Sequence, residues 1–121
     1  MKQVVNFTGL RFPNNISPTD IDGGFEINDK IFVFFEFKLQ GVGLPNGQRL
    51  FLRRVVDCIL ETGRNAILFV CEHTVSDKKQ QIMAKDTRVT EVYLNGTFSK
   101  IDHGKTLKDS IDFYLDACGV S

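Results

Sequence analysis

A glutamate and a lysine, Glu36 and Lys38, lie inside the most apolar run of the chain, IFVFFEFKL at residues 31–39. An unpaired charge is costly to bury, so both side chains need partners or a function. Residues two apart share one face of a strand, which places Glu36 and Lys38 on one side and Phe35 and Phe37 on the other. The run therefore predicts a strand that carries a reactive polar pair.

Two acids, Asp20 and Asp22, precede this run, and the turn sequence NDK separates them from it. If the segments on either side of the turn pair as a hairpin, Asp22 returns beside Glu36. Two carboxylates and the ammonium of Lys38 then share one small patch. Carboxylate oxygens bind hard divalent cations, so the spacing predicts a metal site with the lysine over the group that the cation activates.

Asp22 followed by the segment Glu36–Lys38 resembles the pattern of the PD-(D/E)XK, or restriction-endonuclease-like, nucleases. That family has an Asp at the start of one strand and Glu-x-Lys on the next. Gln48, at the predicted start of the following helix, is similar to a Gln that many small members carry there. The resemblance covers roughly residues 17–60 and is closest to short phage-type and replication-repair nucleases.

The resemblance implies a metal-dependent nuclease that hydrolyses phosphodiester bonds, with DNA favoured over RNA as the substrate. Asp22 and Glu36 would hold one or two Mg²⁺ or Mn²⁺ ions, and the main-chain carbonyl of Phe37 would be a further ligand. Lys38 would orient or deprotonate the attacking water and offset charge in the transition state. Gln48 would position a phosphate or a water.

One feature of the family pattern is missing, because no acidic residue precedes Asp20. Many relatives carry a further acidic ligand on a helix before the first strand. We expect Asp20 or water to take that place, although Asp20 is equally suited to capping the turn at residues 17–19. The missing acid and the net charge of zero keep a second interpretation open: a non-catalytic module on the same fold that binds nucleic acid or protein.

Basic residues on two segments are candidates for contacts with nucleic-acid phosphates. They are Arg49 and Arg53 on the predicted helix, and Lys78 and Lys79 in the polar segment 76–88. Since the formal net charge is zero, attraction of a polyanion must come from such local patches rather than from the whole protein.

The glycine-rich loop at residues 41–47, with Glu72 at the end of the next strand, offers a remote alternative, a dinucleotide-binding protein. Its glycine spacing differs by one from the usual fingerprint, and the preceding strand carries two charges. We favour the simpler interpretation, in which the glycines turn the chain. We also expect Cys71 and His73 to be structural.

The order of the elements predicts an α/β fold, a mixed sheet of about four strands flanked by two helices, as in a restriction-endonuclease-like core. Strand, helix and strand in succession predict a parallel crossover. A chain of 121 residues fits a single domain, 1–121. The predicted strands are 20–27, 31–39, 66–71 and 90–94, and the predicted helices are 48–61 and 107–117.

The remaining features concern the environment of the protein. Three widely spaced cysteines without a CxxC pair are expected to be reduced core residues. With neither a leader peptide nor an apolar run of membrane length in view, we expect a cytoplasmic protein without membrane contact, located in the host cytoplasm if phage-encoded. A domain of this size covers little duplex, so a homodimer is plausible.

Overall fold

The structure is a computed structural model that describes residues 5–15, 18–75 and 80–120. Within those residues it has five strands and two α-helices. In chain order they are β1 (Gly23–Ile27), β2 (Ile31–Leu39), α1 (Asn46–Glu61), β3 (Asn65–His73), β4 (Arg88–Leu94), β5 (Thr97–Lys100) and α2 (Leu107–Ala117). The α/β class is confirmed.

The strands form one mixed sheet in the order β1-β2-β3-β4-β5. β2 and β3 are parallel, as the crossover through α1 predicts, and the other neighbours are antiparallel. The prediction of about four strands was one short, because β5 pairs with β4 through the two-residue turn Asn95-Gly96. Both turn residues have positive φ, the geometry that suits a tight hairpin.

The β1–β2 hairpin is closed by Asn28 and Asp29, which both adopt left-handed backbone conformations. Gly23 pairs with Phe35, so the preceding residue, Asp22, falls opposite Glu36. A Cβ at Gly23 would overlap the Phe35 ring. The glycine thus lets the aromatic ring lie over β1, and this close packing fixes the register that brings the two acids together.

Each face of the sheet is covered by one helix. On the α1 side, Leu52 and Val56 pack against β3 and β4 residues that include Leu68 and Tyr93. On the other side, Leu107 of α2 contributes to the core. The side chains of β2 divide as predicted: Phe32, Phe34, Glu36 and Lys38 face α1, whereas Ile31, Val33, Phe35 and Phe37 face α2.

A β-bulge interrupts the pairing of β3 with β4. Val70 pairs with Glu91 and Cys71 with Val89, which leaves Thr90 as an extra residue on β4. Val89 belongs to the core on the α2 side, whereas Glu91 contacts Arg49 of α1. The extra residue therefore changes which face the later side chains of β4 occupy.

The cysteines only partly match their expected burial. Cys71 is buried and Cys118 is half-buried, but Cys58 is exposed on α1, so the expectation of three core residues was wrong there. Of the polar segment 76–88, residues 80–86 form an exposed loop with a single 3₁₀ turn at Ala84–Asp86. None of the helices in the described part of the chain is long and apolar enough to cross a membrane.

Candidate active site

Glu36 lies at the centre of the candidate site and has no solvent exposure. Its strand, β2, is flanked by β1 on one side and β3 on the other, and the first turn of α1 covers the face toward which the carboxylate points. Aromatic and β-branched neighbours stabilise β2 as an interior strand, so the polar side chain is buried by packing around it. Its hydrogen-bond partners must therefore come from the protein.

The carboxylates of Asp22 and Glu36 each accept a hydrogen bond from a main-chain N–H of the neighbouring segment. The N–H of Asp22 donates to Oε2 of Glu36 at 2.5 Å, and the N–H of Phe37 donates to Oδ2 of Asp22 at 2.8 Å. Hydrogen bonds to ionised acceptors are stronger than neutral ones. The reciprocal pair therefore fixes both carboxylates on adjacent strands at the same level of the sheet, as the sequence predicts.

Gln48 joins Glu36 to Lys38. Its Nε2 donates to Oε1 of Glu36, and its Oε1 accepts from Nζ of Lys38 at 2.9 Å. An ammonium can only donate, so the amide oxygen must face Lys38 and the amino group must face Glu36. Gln48 thus sets the direction of a short hydrogen-bond chain that runs from the lysine to the buried carboxylate.

Burial raises the pKa of Glu36 from 4.5 to about 7. The hydrogen bond from the Asp22 N–H and the positive charge of Lys38 lower that pKa, while the negative charges of Asp22 and Asp20 raise it. A carboxyl group in a dry site beside other acids resists ionisation. Such a site favours the arrival of positive charge.

Asp20 is exposed, and its charge acts on Glu36. The charge of Asp20 thus acts at the site, which supports the prediction that Asp20 replaces the missing metal ligand. The alternative of a turn cap at residues 17–19 involves Ser17, which is outside the described residues.

The donor set is compatible with magnesium. Mg²⁺ is commonly bound by one or two carboxylates, with water and substrate phosphate completing its coordination. Asp22 and Glu36 supply two carboxylates, and the main-chain carbonyl of Phe37 remains a predicted third ligand. In the described residues no group of three or more His, Cys, Asp and Glu side chains could hold a metal ion.

The four basic residues predicted to contact nucleic acid have different surroundings. Arg49 pairs through both terminal nitrogens with Glu91, one of these contacts measuring 3.0 Å, and its guanidinium lies 4.5 Å from the centre of the Phe98 ring. Arg53 is exposed on the same helix. Lys78 and Lys79 lie outside the described residues. A phosphate-contacting role for Arg49 remains a prediction, and its contacts here also give it a structural role.

Sequence analysis missed Glu91, which is 42 positions from Arg49 in the chain. The two come together only because the bulge turns Glu91 toward α1, and no short-range pattern carries that signal. A second ion pair that it missed joins Glu72 to Arg88 at 2.6 Å. Since Glu72 pairs in register with Lys38, a charged row crosses β2, β3 and β4 next to the site.

The residues favoured as structural behave as such. Nδ1 of His73 accepts from the N–H of Val75 at 3.1 Å, and burial raises the pKa of the Cys71 thiol to about 12, which leaves it unreactive at neutral pH. Added Cβ atoms at Gly43 and Gly47 would meet no neighbour within 4 Å, and Gly41 has a positive φ. The positive φ supports a turning role for Gly41, whereas Gly47 lies within α1 and neither it nor Gly43 has a positive φ.

Comparison with protein-family models, with curated proteins and with solved structures finds no match to this chain.

Replacement of Gln48 tests the hydrogen-bond chain directly. We expect Gln48→Met to remove both contacts and to lower any turnover by roughly ten- to a hundredfold, because Lys38 loses its fixed position. Gln48→Glu keeps an acceptor for Lys38 but places a third carboxylate beside Glu36, so it should retain the lysine position and raise the pKa of Glu36 further. Steady-state kinetics and titration of the two variants separate these effects. Equal turnover in wild type and Gln48→Met would show that the chain has no role in catalysis.

The two helix arginines should have separable effects. Arg49→Ala is expected to destabilise the fold by about 1–3 kcal/mol, because Glu91 loses its partner while 15% exposed. Arg53→Ala should leave stability nearly unchanged but weaken nucleic-acid binding for all sequences and reduce the salt slope by about one. Urea unfolding and binding at several salt concentrations measure both. Arg64→Ala is the control for both measurements, because Arg64 directly precedes β3, at the end of the strand that is farther from Lys38. Normal binding by Arg53→Ala would place α1 away from the substrate.

Proposed function

We propose that this chain is a metal-dependent phosphodiesterase that cleaves nucleic acid, with DNA as the preferred substrate. The observation that carries the proposal is the convergence of Asp22, Glu36 and Lys38, linked through Gln48 at one level of the sheet. A structural ion pair would need only one acid and one base. Two acids, one of them fully buried, together with a lysine held by an amide, form a costly arrangement that a catalytic role accounts for.

In the proposed mechanism Asp22 and Glu36 would hold one or two Mg²⁺ or Mn²⁺ ions, with the Phe37 carbonyl as a further ligand and Asp20 or water in place of the missing acidic ligand. When bound, the cation would supply Lewis-acid activation of water and of a phosphate oxygen. Main-chain N–H groups donate to both carboxylates and limit their movement. Little conformational entropy would therefore be lost in ordering the two carboxylates when a substrate binds.

Lys38 provides the positive charge of the site. Its Nζ is held by Gln48, which places the ammonium beside the carboxylate pair rather than directly on it. From that position the ammonium can orient the attacking water and offset the negative charge that develops on the phosphate. To accept the proton of that water, Lys38 must first lose a proton to solvent and act as the neutral amine. Gln48 is therefore a positioning residue, and Lys38 is the catalytic one.

The substrate would reach the site along the basic surface of α1, where Arg53 is exposed. Lys78 and Lys79 belong to the same proposal as phosphate contacts. Since one domain of 121 residues covers little duplex, we propose that two copies act together on DNA.

Metal binding is the decisive test. Calorimetric titration at pH 8, where Glu36 is ionised, should give saturable binding of Mg²⁺ or Mn²⁺ by the wild type. Asp22→Asn should lose that binding and remain folded, because the amide oxygen can still accept from the Phe37 N–H. A labelled DNA duplex then reports cleavage. Nucleic-acid binding without metal binding or cleavage would favour the non-catalytic module.

A further inference from the structure

A pocket of about 550 Å³ lies between α2 and the sheet, on the face opposite Glu36. Much of its apolar lining comes from three elements: β3 contributes Ile67 and Phe69, β4 contributes Val92, and α2 contributes Phe113 and Tyr114. Pockets that bind small molecules have volumes of about 300–1,000 Å³ and mostly apolar linings. The volume and lining therefore suit a small organic ligand, independently of the function proposed above.

A buried hydroxyl in this pocket lacks a partner. Oγ of Ser110 is inaccessible to solvent and, in the part of the chain that the structure describes, has no hydrogen-bond partner. Buried polar groups in native proteins are nearly always satisfied, so an exception calls for an explanation. Ser110 lines the pocket, and its hydroxyl would have to rotate about χ1 to reach a bound molecule.

The ionisable side chains at the rim give the pocket a preference for negative charge. His103 and Lys105 line it, and none of its lining residues within the described ranges is an Asp or Glu. The N–H of Lys105 donates to Nδ1 of His103 at 3.0 Å, and the carbonyl of Lys105 accepts from the Val89 N–H at 3.1 Å. These bonds tie the basic rim to β4.

The pocket extends along α2. Ser110 lies one helical turn from Thr106, the N-cap residue, and so at the same end of the helix as Lys105. Phe113 and Ala117 line the pocket farther along the helix, so the pocket extends over about 10 Å from Ser110 to Ala117 at 1.5 Å per residue. Lys105 thus lies toward one end of a mostly apolar pocket, whose lining also includes the amides of Asn65 and Asn95.

We propose that this pocket binds a free medium-chain fatty acid. The carboxylate pairs with Lys105, and the hydrocarbon chain lies along Phe69 and Phe113. Phe113 is 77% exposed without a ligand, and contact with the chain would cover part of its ring.

Titration of the full chain with decanoate tests this assignment. We expect one saturable site for decanoate, no binding of decyltrimethylammonium at the same concentrations, and at least tenfold weaker decanoate binding by Lys105→Glu. Lys108→Glu, which makes the same charge change on an exposed residue that does not line the pocket, is the matched control and should bind as the wild type does. Ala117→Trp, designed to fill the part of the pocket farther from Lys105, should abolish binding while circular dichroism shows a folded protein.

Two outcomes would overturn the proposal. One is equal affinity for the anionic and cationic probes, or no saturable binding at all. The other is sedimentation of the wild type as a dimer and of Ala117→Trp as a monomer. That result would make the pocket a surface for self-association. Neither outcome depends on nuclease activity, because both measurements use the protein without metal or nucleic acid.

Discussion

Glu36→Gln should abolish cleavage and leave the protein folded. Loss of the carboxylate removes one of two proposed metal ligands, so turnover should fall by at least a hundredfold. The amide cannot accept from both Gln48 and the N–H of Asp22 as the carboxylate does, which costs one hydrogen bond. Removal of a fully buried negative charge stabilises the folded state and offsets that loss.

The balance between these two effects depends on pH. The pKa of Glu36 is raised from 4.5 to about 7 in the folded protein, so between those values the folded state binds more protons than the unfolded state. The protonated carboxyl carries no penalty below about pH 4.5, and the stability of the wild type falls as the pH rises to about 7. The full loss is at most about 3 kcal/mol.

Glu36→Gln should therefore gain stability relative to the wild type between pH 5 and pH 8. Urea unfolding at both values measures the difference, and Glu61→Gln, which removes an exposed carboxylate at the end of α1, is the control. If Glu36→Gln unfolds the protein at pH 8, Glu36 is a structural partner of Lys38 and the proposed site is wrong.

Lys38→Ala and Asp22→Ala should both impair cleavage but should differ in their effect on metal affinity. Without Lys38 we expect turnover to fall by roughly 10²–10⁴-fold, the range for loss of a group that transfers protons. Metal affinity should stay the same or improve, because a like charge has gone. Without Asp22, metal binding and cleavage should disappear together.

The comparison must be made above pH 8. The charge of Lys38 lowers the pKa of Glu36, so Lys38→Ala raises that pKa and would weaken metal binding near neutrality for an indirect reason. Lys30→Ala, in the exposed hairpin turn, provides the matched loss of charge. A structural salt bridge gives another pattern, in which both substitutions lower the melting temperature and neither changes metal affinity.

The sequence predicts the centre of this site because its geometry is local. Asp22 and Glu36 belong to one hairpin, and a turn built from Asn28 and Asp29 sets its register. Once the register is set, the two-residue period of a strand places Glu36 and Lys38 together. Gln48 was predicted from the resemblance to the nuclease family rather than from local spacing, and the short loop after β2 is what brings α1 back over the strand.

Other parts of the fold could not be predicted from the sequence because they depend on distant packing. β5 has one large apolar residue, Phe98, so its sequence lacks the pattern of a strand, and only pairing with β4 stabilises it. The pairing of Arg49 with Glu91 requires a bulge that no periodicity predicts. The structural role of Arg49 was missed for that reason.

The bulge at Thr90 also determines how this chain can tolerate changes in length. Deletion of Thr90 would join Val89 directly to Glu91, so β4 would alternate regularly and both halves of the strand would keep their present partners on β3. Val89 would stay in the core on the α2 side, and Tyr93 would stay in the core beneath α1. Natural or engineered variants should therefore accept the loss of Thr90 more readily than the loss of Val92, after which either Glu91 or Tyr93 would have to change face.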